Sequence, residues 1–415
     1  MFAIPSKEEK KGCSWVEWLC CKSRAEVAWV QDWSNIPEAF FPFLESVFLQ
    51  EKYISAIQKE YDCSLVLFRY DQRPAGVAVF FKSTFYTEDW RGGEEWGTIA
   101  RWLARKWEVA SQEQSVLVCG NPFVSGPHGF QFDEQLSAEV KADLLCRAMD
   151  QAADELQKQG NKIAICLIKD FTCYNKDLVV HLKKCGFGSV GADPIMVLPI
   201  LPQWNSFEDY TDGLISKFRS KALTAYKKSA EVTSKELTDG EMSSSVEQWY
   251  PLYEQVYRQS ANRWTPLTAT TLIQMKQSLA EAMVFTGYYW NNSMVGFSIA
   301  ILDDAMEAHL VGMDYNVSKE LYLYSRMLYD FVQMGISHQS KQIVFGRTAV
   351  EIKSAMGAVP VELGNVMRHS RSIPNLFVRW ITHSLEYETD AIRKPWKQTE
   401  EAMIHERIEK WRRHE

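Results

Sequence analysis

Apolar residues recur at helical spacing over residues 38–60, where Phe40, Phe43, Leu44, Val47, Tyr53, Ile54 and Ile57 share a face, and this predicts a helix. Strand-length apolar runs follow at Ser64–Tyr70 and Gly76–Phe85, joined by Asp71-Gln-Arg-Pro-Ala as a hairpin turn. The pattern then gives a strand at Val116–Gly120, a loop at 121–133, a long helix at about 137–159 and a strand at Lys162–Ile168. A helix at Lys176–Lys184 and a closing strand at Pro194–Leu201 complete the first half. The segment LPILPQW, Leu198 to Trp204, carries two prolines and reads as the join.

The second half repeats the plan. Helices are predicted over Ser206–Ala230, Ser245–Ala261 and Thr268–Ala282, then strands at Met283–Trp290, Met294–Asp303 and Ala305–Gly312. Asn291-Asn292 suits the first turn, since Asn tolerates positive φ. A helix at Lys319–Gly335, a strand at Gln342–Phe345, a helix at Ala349–Met356 and a last strand near Val359–Leu363 follow. Pro360 confines that strand to an edge or a bulge. Each half therefore runs antiparallel strands, then loop, helix, strand, helix, strand. The implied fold class is α/β (α+β), with two tandem domains, each a mixed, mostly antiparallel sheet flanked by helices. The boundaries fall at 1–203 and 204–392, with a charged tail at 393–415 that is helical from about 399. The opening MFAIPSKEEKKGCSWVEWLCCKSR lacks the clean apolar stretch of a signal peptide and reads as a leading arm or an amphipathic helix.

Composition narrows the picture. A chain of 415 residues, 46% hydrophobic, can bury two sizeable cores. Its net charge of −7 argues against a nonspecific nucleic-acid binder, so DNA is not an expected partner. The nine cysteines are scattered without paired Cys-x-x-Cys motifs, so no metal site is expected. Cys119 in VLVCG and Cys166 in IAICLI read as small hydrophobes, which suits a reducing cytoplasm. No apolar run approaches the roughly 20 residues of a membrane-spanning helix.

The densest candidate chemistry lies in KQIVFGRTAVEIKSAMGA, Lys341 to Ala358. Gly346 gives room after a strand, Arg347 can fork onto a phosphate or carboxylate, and Lys353 can reach the same anion. The alternative is an Arg347–Glu351 pair on a surface helix. Glu307 and His309 alternate in EAHLVGMD, so a regular strand puts both on one face, where either can take a proton from an amine through water or simply be a satisfied inward polar group. Lys217, Lys221 and Lys228 share one helical face, Arg219 and Lys227 project elsewhere, and no acid lies among the five.

These segments resemble the GNAT superfamily of N-acyltransferases, and within it tandem-domain relatives and the Fem-type peptidyltransferases. Phe345–Arg347, Lys353 and Gly357 carry the likeness, with Gly312-Met-Asp-Tyr315 and the Tyr322 and Tyr324 that follow. The Ser-Lys-x-Arg of 216–219 matches the opening of the second domain in Fem-type enzymes, and Asn175, Gly186 and Phe187 match a helix and its exit in the first. Leu182 stands where the family often has a Tyr acid. The resemblance implies two GNAT-like domains that transfer an acyl or aminoacyl group to an amine. The implied donor is acyl-CoA (acetyl-CoA), held by Gly346, Arg347, Lys353 and Tyr315, with Gly126 and Gly129 of VSGPHGF at the place of the family's pyrophosphate loop or serving as turn glycines. Lys217, Arg219, Lys221, Tyr322 and Tyr324 would meet the substrate, an amine-bearing small molecule or peptide. Two alternatives stay open. One is aminoacyl-tRNA delivering to a peptidoglycan precursor, although no long helical hairpin insertion is visible. The other is a non-catalytic binding protein, which Leu182 and the missing glycine-rich signature favour.

Overall fold

The computed structural model describes residues 15–20, 23–30, 32–87, 113–172, 176–260, 262–371, 375–376 and 391–413. Its strands are β1 (Trp15–Cys20), β2 (Ser23–Trp29), β3 (Cys63–Tyr70), β4 (Arg73–Thr87), β5 (Glu113–Cys119), β6 (Phe130–Phe132), β7 (Ile165–Thr172), β8 (Gly188–Ser189), β9 (Ile195–Pro199), β10 (Thr233–Glu236), β11 (Asn262–Trp264), β12 (Met283–Trp290), β13 (Ser293–Ile301), β14 (Ala305–Met313), β15 (Gln342–Val344), β16 (Val359–Val361) and β17 (Leu363–His369). Its α-helices are α1 (Glu51–Gln58), α2 (Ala138–Lys158), α3 (Lys176–Lys184), α4 (Phe207–Gly213), α5 (Ser216–Lys228), α6 (Asp239–Ser244), α7 (Val246–Gln259), α8 (Ala269–Leu279), α9 (Tyr315–Ser318), α10 (Leu323–Ser337), α11 (Val350–Ala355) and α12 (Gln398–Arg413).

Two units result, and neither is one continuous stretch. The first takes Met1–Ala192, Ala261–Leu267 and Leu363–Tyr387, and the second takes the rest. The first sheet runs β1-β2-β3-β4-β5-β7-β17-β8, with β6 and β11 also on β4. The second runs β10-β12-β13-β14-β15-β9-β16. The first sheet thus takes two strands, β11 and β17, from the second half of the sequence, and the second sheet takes one, β9, from the first. The segment expected to close the first half, β9, lies between β15 and β16 in the second sheet. The last strand of the second half, β17, pairs with β7 and β8 in the first. Hydrophobicity marks β9 correctly as a fully buried strand, but it carries no information about which sheet receives it.

Local differences have local causes. Trp15–Cys20 and Ser23–Trp29 pair as antiparallel strands rather than forming a helix, and Arg24 meets Glu17 and Glu26. The helix expected over 38–60 is broken into 3-10 turns at Glu38–Phe43 and Val47–Leu49 before α1, with Pro42 inside the first turn. The helix expected over 206–230 divides where Leu214 turns extended, at φ −80 and ψ 147, and bridges to Trp396.

In the first unit, α2 lays Val140, Leu144, Leu145, Met149 and Leu156 on the sheet, and Ser137 caps it by accepting from the Val140 N–H. In the second unit, α10 buries Met327, Leu328, Phe331 and Val332 against its sheet. Trp396, held by a hydrogen bond to the Gly357 carbonyl at 3.1 Å, stacks on Trp204.

Candidate functional site

In the second unit β14 and β15 run parallel, paired only through Ala305–Gln342, Met306–Ile343 and Glu307–Val344. There they part. Phe345 N donates to Met196 O at 2.8 Å, and Met196 N donates to Gly346 O at 3.0 Å, so the chain after β15 follows β9. Meanwhile β14 continues to Met313 alongside β13. On the side that faced β15, residues 308–313 of β14 have no paired strand among the described residues, and the sheet opens as a notch.

A β-bulge sits at the mouth of this notch. Ala300 pairs with Ala308 and Ile299 with Leu310, which leaves His309 as the extra residue. The core contacts show the same shift: Met306 and Ala308 pack on the clusters that hold α10, and so do Val311 and Met313, two residues of opposite parity. The regular alternation expected to put Glu307 and His309 on one face is therefore interrupted between them. Glu307, 3% exposed, is the last residue paired before the parting. His309 is half-buried, and its Nε2 is buried with no hydrogen-bond partner among the described residues. Burial pushes its imidazole down to about 4, so it is neutral at pH 7, able to accept a hydrogen bond but holding a proton weakly.

The turn opposite is strained. Gly346, Thr348 and Ala349 have φ of +67, +64 and +49. The left-handed region costs a residue with a Cβ about 1–2 kcal/mol, and a β-branched Thr is a rare occupant. Lys353 braces the turn from within: its Nζ donates to the Arg347 carbonyl at 2.6 Å, and the residue is 3% exposed. Burial lowers this ammonium to about 7. Lys353 thus supports the turn instead of projecting beyond it. The Arg347 guanidinium is half-buried and donates to the Asp193 carbonyl. Glu351 pairs with Arg393 at 2.5 Å, so the alternative Arg347–Glu351 pair is not what forms. Arg393, with a smaller contribution from Lys221, holds the Glu351 carboxyl below its usual range.

The structure therefore gathers Glu307, His309, Gly346, Arg347 and Lys353 at one end of β15. It sets the tyrosines elsewhere, beyond the far end of β14. Tyr315 opens α9 with its side chain exposed, Tyr322 is exposed at φ +50 just before α10, and Tyr324 packs between two core clusters, its phenol pushed up to about 12 by burial. On α5, Lys217 and Lys221 are exposed and flank the Phe218 ring at 5.6 and 5.4 Å, while Arg219 pairs with Asp212 at 2.8 Å.

The first unit has the equivalent parting, but it is filled. β5 and β7 pair in parallel from Val116–Ile165 to Cys119–Ile168. At the next position Lys169 lies against Gly120, where an added Cβ would come within 2.5 Å of Lys169 Cγ. Its Nζ donates to the carbonyls of Asn121 at 2.8 Å and Val124 at 2.9 Å and pairs with Asp170 Oδ2 at 2.6 Å. The Gly126 N–H donates to the same carboxylate at 3.3 Å. Gly129 packs on the backbone of Gly120, and its carbonyl accepts from Val79 N at 2.9 Å. These glycines shape the loop, and the Gly126 N–H expected to face a pyrophosphate is already engaged. His128 of the same loop rests on Phe48 with centroids 4.5 Å apart and meets Ser46 Oγ at 3.3 Å. Leu182 is a core residue. Asn175 lies outside the described residues. The Lys-Asp pair was readable as a charged interruption in the apolar run ICLIKDFT, whereas nothing in the letters marks Thr348 and Ala349 as left-handed.

No family model and no curated protein matches the chain. Among solved structures, a tandem GNAT protein from the clavulanic acid biosynthesis pathway, determined without AcCoA, superposes with a TM-score of 0.52 at 7% identity, covering 84% of this chain and 99% of that one. The fold is that of a tandem GNAT protein. FemX (TM-score 0.46, 10% identity, 78% of this chain and 91% of that one) and a GCN5-related N-acetyltransferase from Anabaena variabilis ATCC 29413 (0.43, 11%, 82% and 72%) are looser likenesses. The two parallel-strand partings of this chain are unlike: Lys169 occupies the first, whereas at the second, beside His309, residues 308–313 have no paired strand on that side among the described residues. Among the described residues no helix is long and apolar enough to cross a membrane, and no cluster of His, Cys, Asp and Glu is placed to hold a metal ion.

Proposed function

We propose that this chain is an N-acyltransferase that moves an acyl group from acyl-CoA to an amine-bearing small molecule or peptide, with the notch of the second unit as donor site. The observation that carries this reading is the parting of β14 from β15 directly after Glu307–Val344, with His309 bulged at its mouth. An unpaired strand edge offers alternating N–H and C=O groups, which suit the amide-bearing arm of coenzyme A. Arg347 supplies a fixed positive charge on the opposite lip, and Lys217 and Lys221 add exposed charge on α5.

In the reaction the amine nitrogen gives up a proton and attacks the thioester carbonyl. The tetrahedral intermediate then collapses, the C–S bond breaks and coenzyme A leaves as thiolate. Glu307 and His309 are the groups at the notch able to receive the proton. Lys169 leaves the first unit no matching space, so that unit is assigned to support or to the acceptor. The free thiols Cys63, Cys119, Cys146, Cys166 and Cys185 fit a reducing compartment such as the cytoplasm.

Calorimetry with coenzyme A and acetyl-CoA tests the proposal. One binding event per chain, weakened at least tenfold in Arg347→Ala and unchanged in Lys169→Met, supports it. No binding of either ligand, with binding of aminoacyl-tRNA, would transfer the argument to a Fem-type donor. Binding of neither would leave a non-catalytic protein.

A further inference from the structure

Outside the notch, segment 393–397 of the second unit is bonded to two elements at once. On one side it meets the join of α4 and α5. Ile215 N donates to the Pro395 carbonyl at 2.8 Å, Lys397 N donates to the Gly213 carbonyl at 3.0 Å, and Lys397 Nζ donates to the Asp212 carbonyl. On the other side it meets α11. Arg393 N donates to Ser354 Oγ at 3.0 Å, the Arg393 guanidinium pairs with Glu351 at 2.5 Å, and Trp396 Nε1 donates to the Gly357 carbonyl at 3.1 Å. These two elements carry exposed charge: Lys217 and Lys221 lie on α5, and Arg347 lies in the turn that leads into α11.

Neither element is secured by its own sequence. α11 has 6 residues, is entered from left-handed Ala349 and has no side-chain cap. A helix that short does not sustain itself without tertiary contacts. α5 also begins without a side-chain cap, at Ile215. Trp396 is the pin of the segment: it is buried, stacks on Trp204 at 5.4 Å and meets the Tyr210 ring edge at 5.7 Å. The Tyr210 hydroxyl in turn donates to the Met356 carbonyl at 2.8 Å, at the end of α11. From α11 the hold passes to the turn, because Lys353 N donates to the Ala349 carbonyl at 3.1 Å and its Nζ to the Arg347 carbonyl. The Arg393–Glu351 pair lies outside the core, with side chains 43% and 58% exposed, so it can be removed without opening a cavity.

We propose that segment 393–397 is a strap that positions the donor-binding lip. By holding α11 to the start of α5 it fixes Arg347 relative to Lys217 and Lys221. Arg393 is a positioning residue, acting through Glu351 and Ser354 and touching no substrate. This role rests on the acyl-CoA reading of the notch. Charges fixed in advance spare the ligand the cost of ordering them, so a loosened strap weakens binding of an anionic donor.

The test compares the full chain with Arg393→Ala, Arg393→Lys and Glu351→Ala by two measurements. The first is amide hydrogen exchange without ligand. Exchange across 346–356 should quicken about tenfold in both alanine variants, while the β12 strand exchanges as in wild type. The second is calorimetry with coenzyme A. Both alanine variants should bind about fivefold more weakly, with the urea midpoint unmoved, and Arg393→Lys should recover most of the loss. Glu351→Ala is decisive because it removes a negative charge. A purely electrostatic effect would tighten binding of an anion, whereas a loosened strap weakens it. Unchanged exchange in both alanine variants overturns the strap, and so does tighter or unchanged binding in Glu351→Ala. Wild-type protein that binds no coenzyme A overturns the donor reading and the positioning role with it. That failure shows in wild type, whereas failure of the strap alone shows only in the variants.

Discussion

Lys353 makes stability depend on pH in a way that can be calculated. The buried ammonium has a carbonyl partner and, among the described residues, no carboxylate partner, and its value falls from 10.5 to about 7. Between those values the unfolded chain holds a proton that the folded chain does not. Stability therefore rises with pH across the window, is complete above about 10.5, and is lost as pH falls through about 7. At about 1.4 kcal/mol per unit the ceiling is about 5 kcal/mol, of which about 2 kcal/mol accrues between pH 7 and pH 9. Lys353→Met keeps the length and removes the titration. It also strips the Arg347 carbonyl of a donor, at about 1–2 kcal/mol that does not vary with pH. Urea unfolding of both proteins at pH 7, 8 and 9 separates the two effects, because only the slope reports the lysine. The expected result is a difference that moves by about 2 kcal/mol in favour of wild type from pH 7 to pH 9. Parallel stability curves would refute the reasoning and would mean that the ammonium keeps its proton inside the fold.

The remaining predictions probe other contacts. His309→Ala should cut kcat/KM with acetyl-CoA about 100-fold if the imidazole receives the proton, with the fold intact by circular dichroism. Lys169→Met should destabilise the protein by about 3–5 kcal/mol in urea, because Asp170 is left buried beside carbonyls without its cation. Gly357→Ala should cost about 3 kcal/mol or more, since φ is +96 and the new Cβ would lie 1.9 Å from Trp396 Cζ2. Thr348→Gly should raise stability by about 0.5–1 kcal/mol, relief of left-handed strain exceeding the added chain entropy.

Much of the fold was legible because periodicity is a local property. The helix at 176–184 and the strand at 283–290 fall where the pattern puts them, and the long helix α2 is shorter than expected by a residue at each end. Strand assignment to sheets was not legible, because burial marks β9 as a fully buried run and β17 as a partly buried one but names no partner strand for either. The candidate site was half legible. Gly346, Arg347 and Lys353 could be singled out because charge beside a strand end is conspicuous, and Glu307 and His309 because polar residues stand out in an apolar strand. The bulge that displaces His309 depends on the register with β13, and the inward turn of Lys353 depends on a backbone carbonyl six residues earlier, so neither is written in the letters.

The borrowed strands decide how this protein can be cut. A fragment ending at residue 203 would keep β9 with no sheet to receive it and would lack β17, so the β7 edge would be bare; the complementary fragment would lose the filling between β15 and β16. Neither piece is an autonomous module. Bare edges of this kind recruit other strands, so separately expressed halves should aggregate, whereas co-expressed halves can complete each other's sheets.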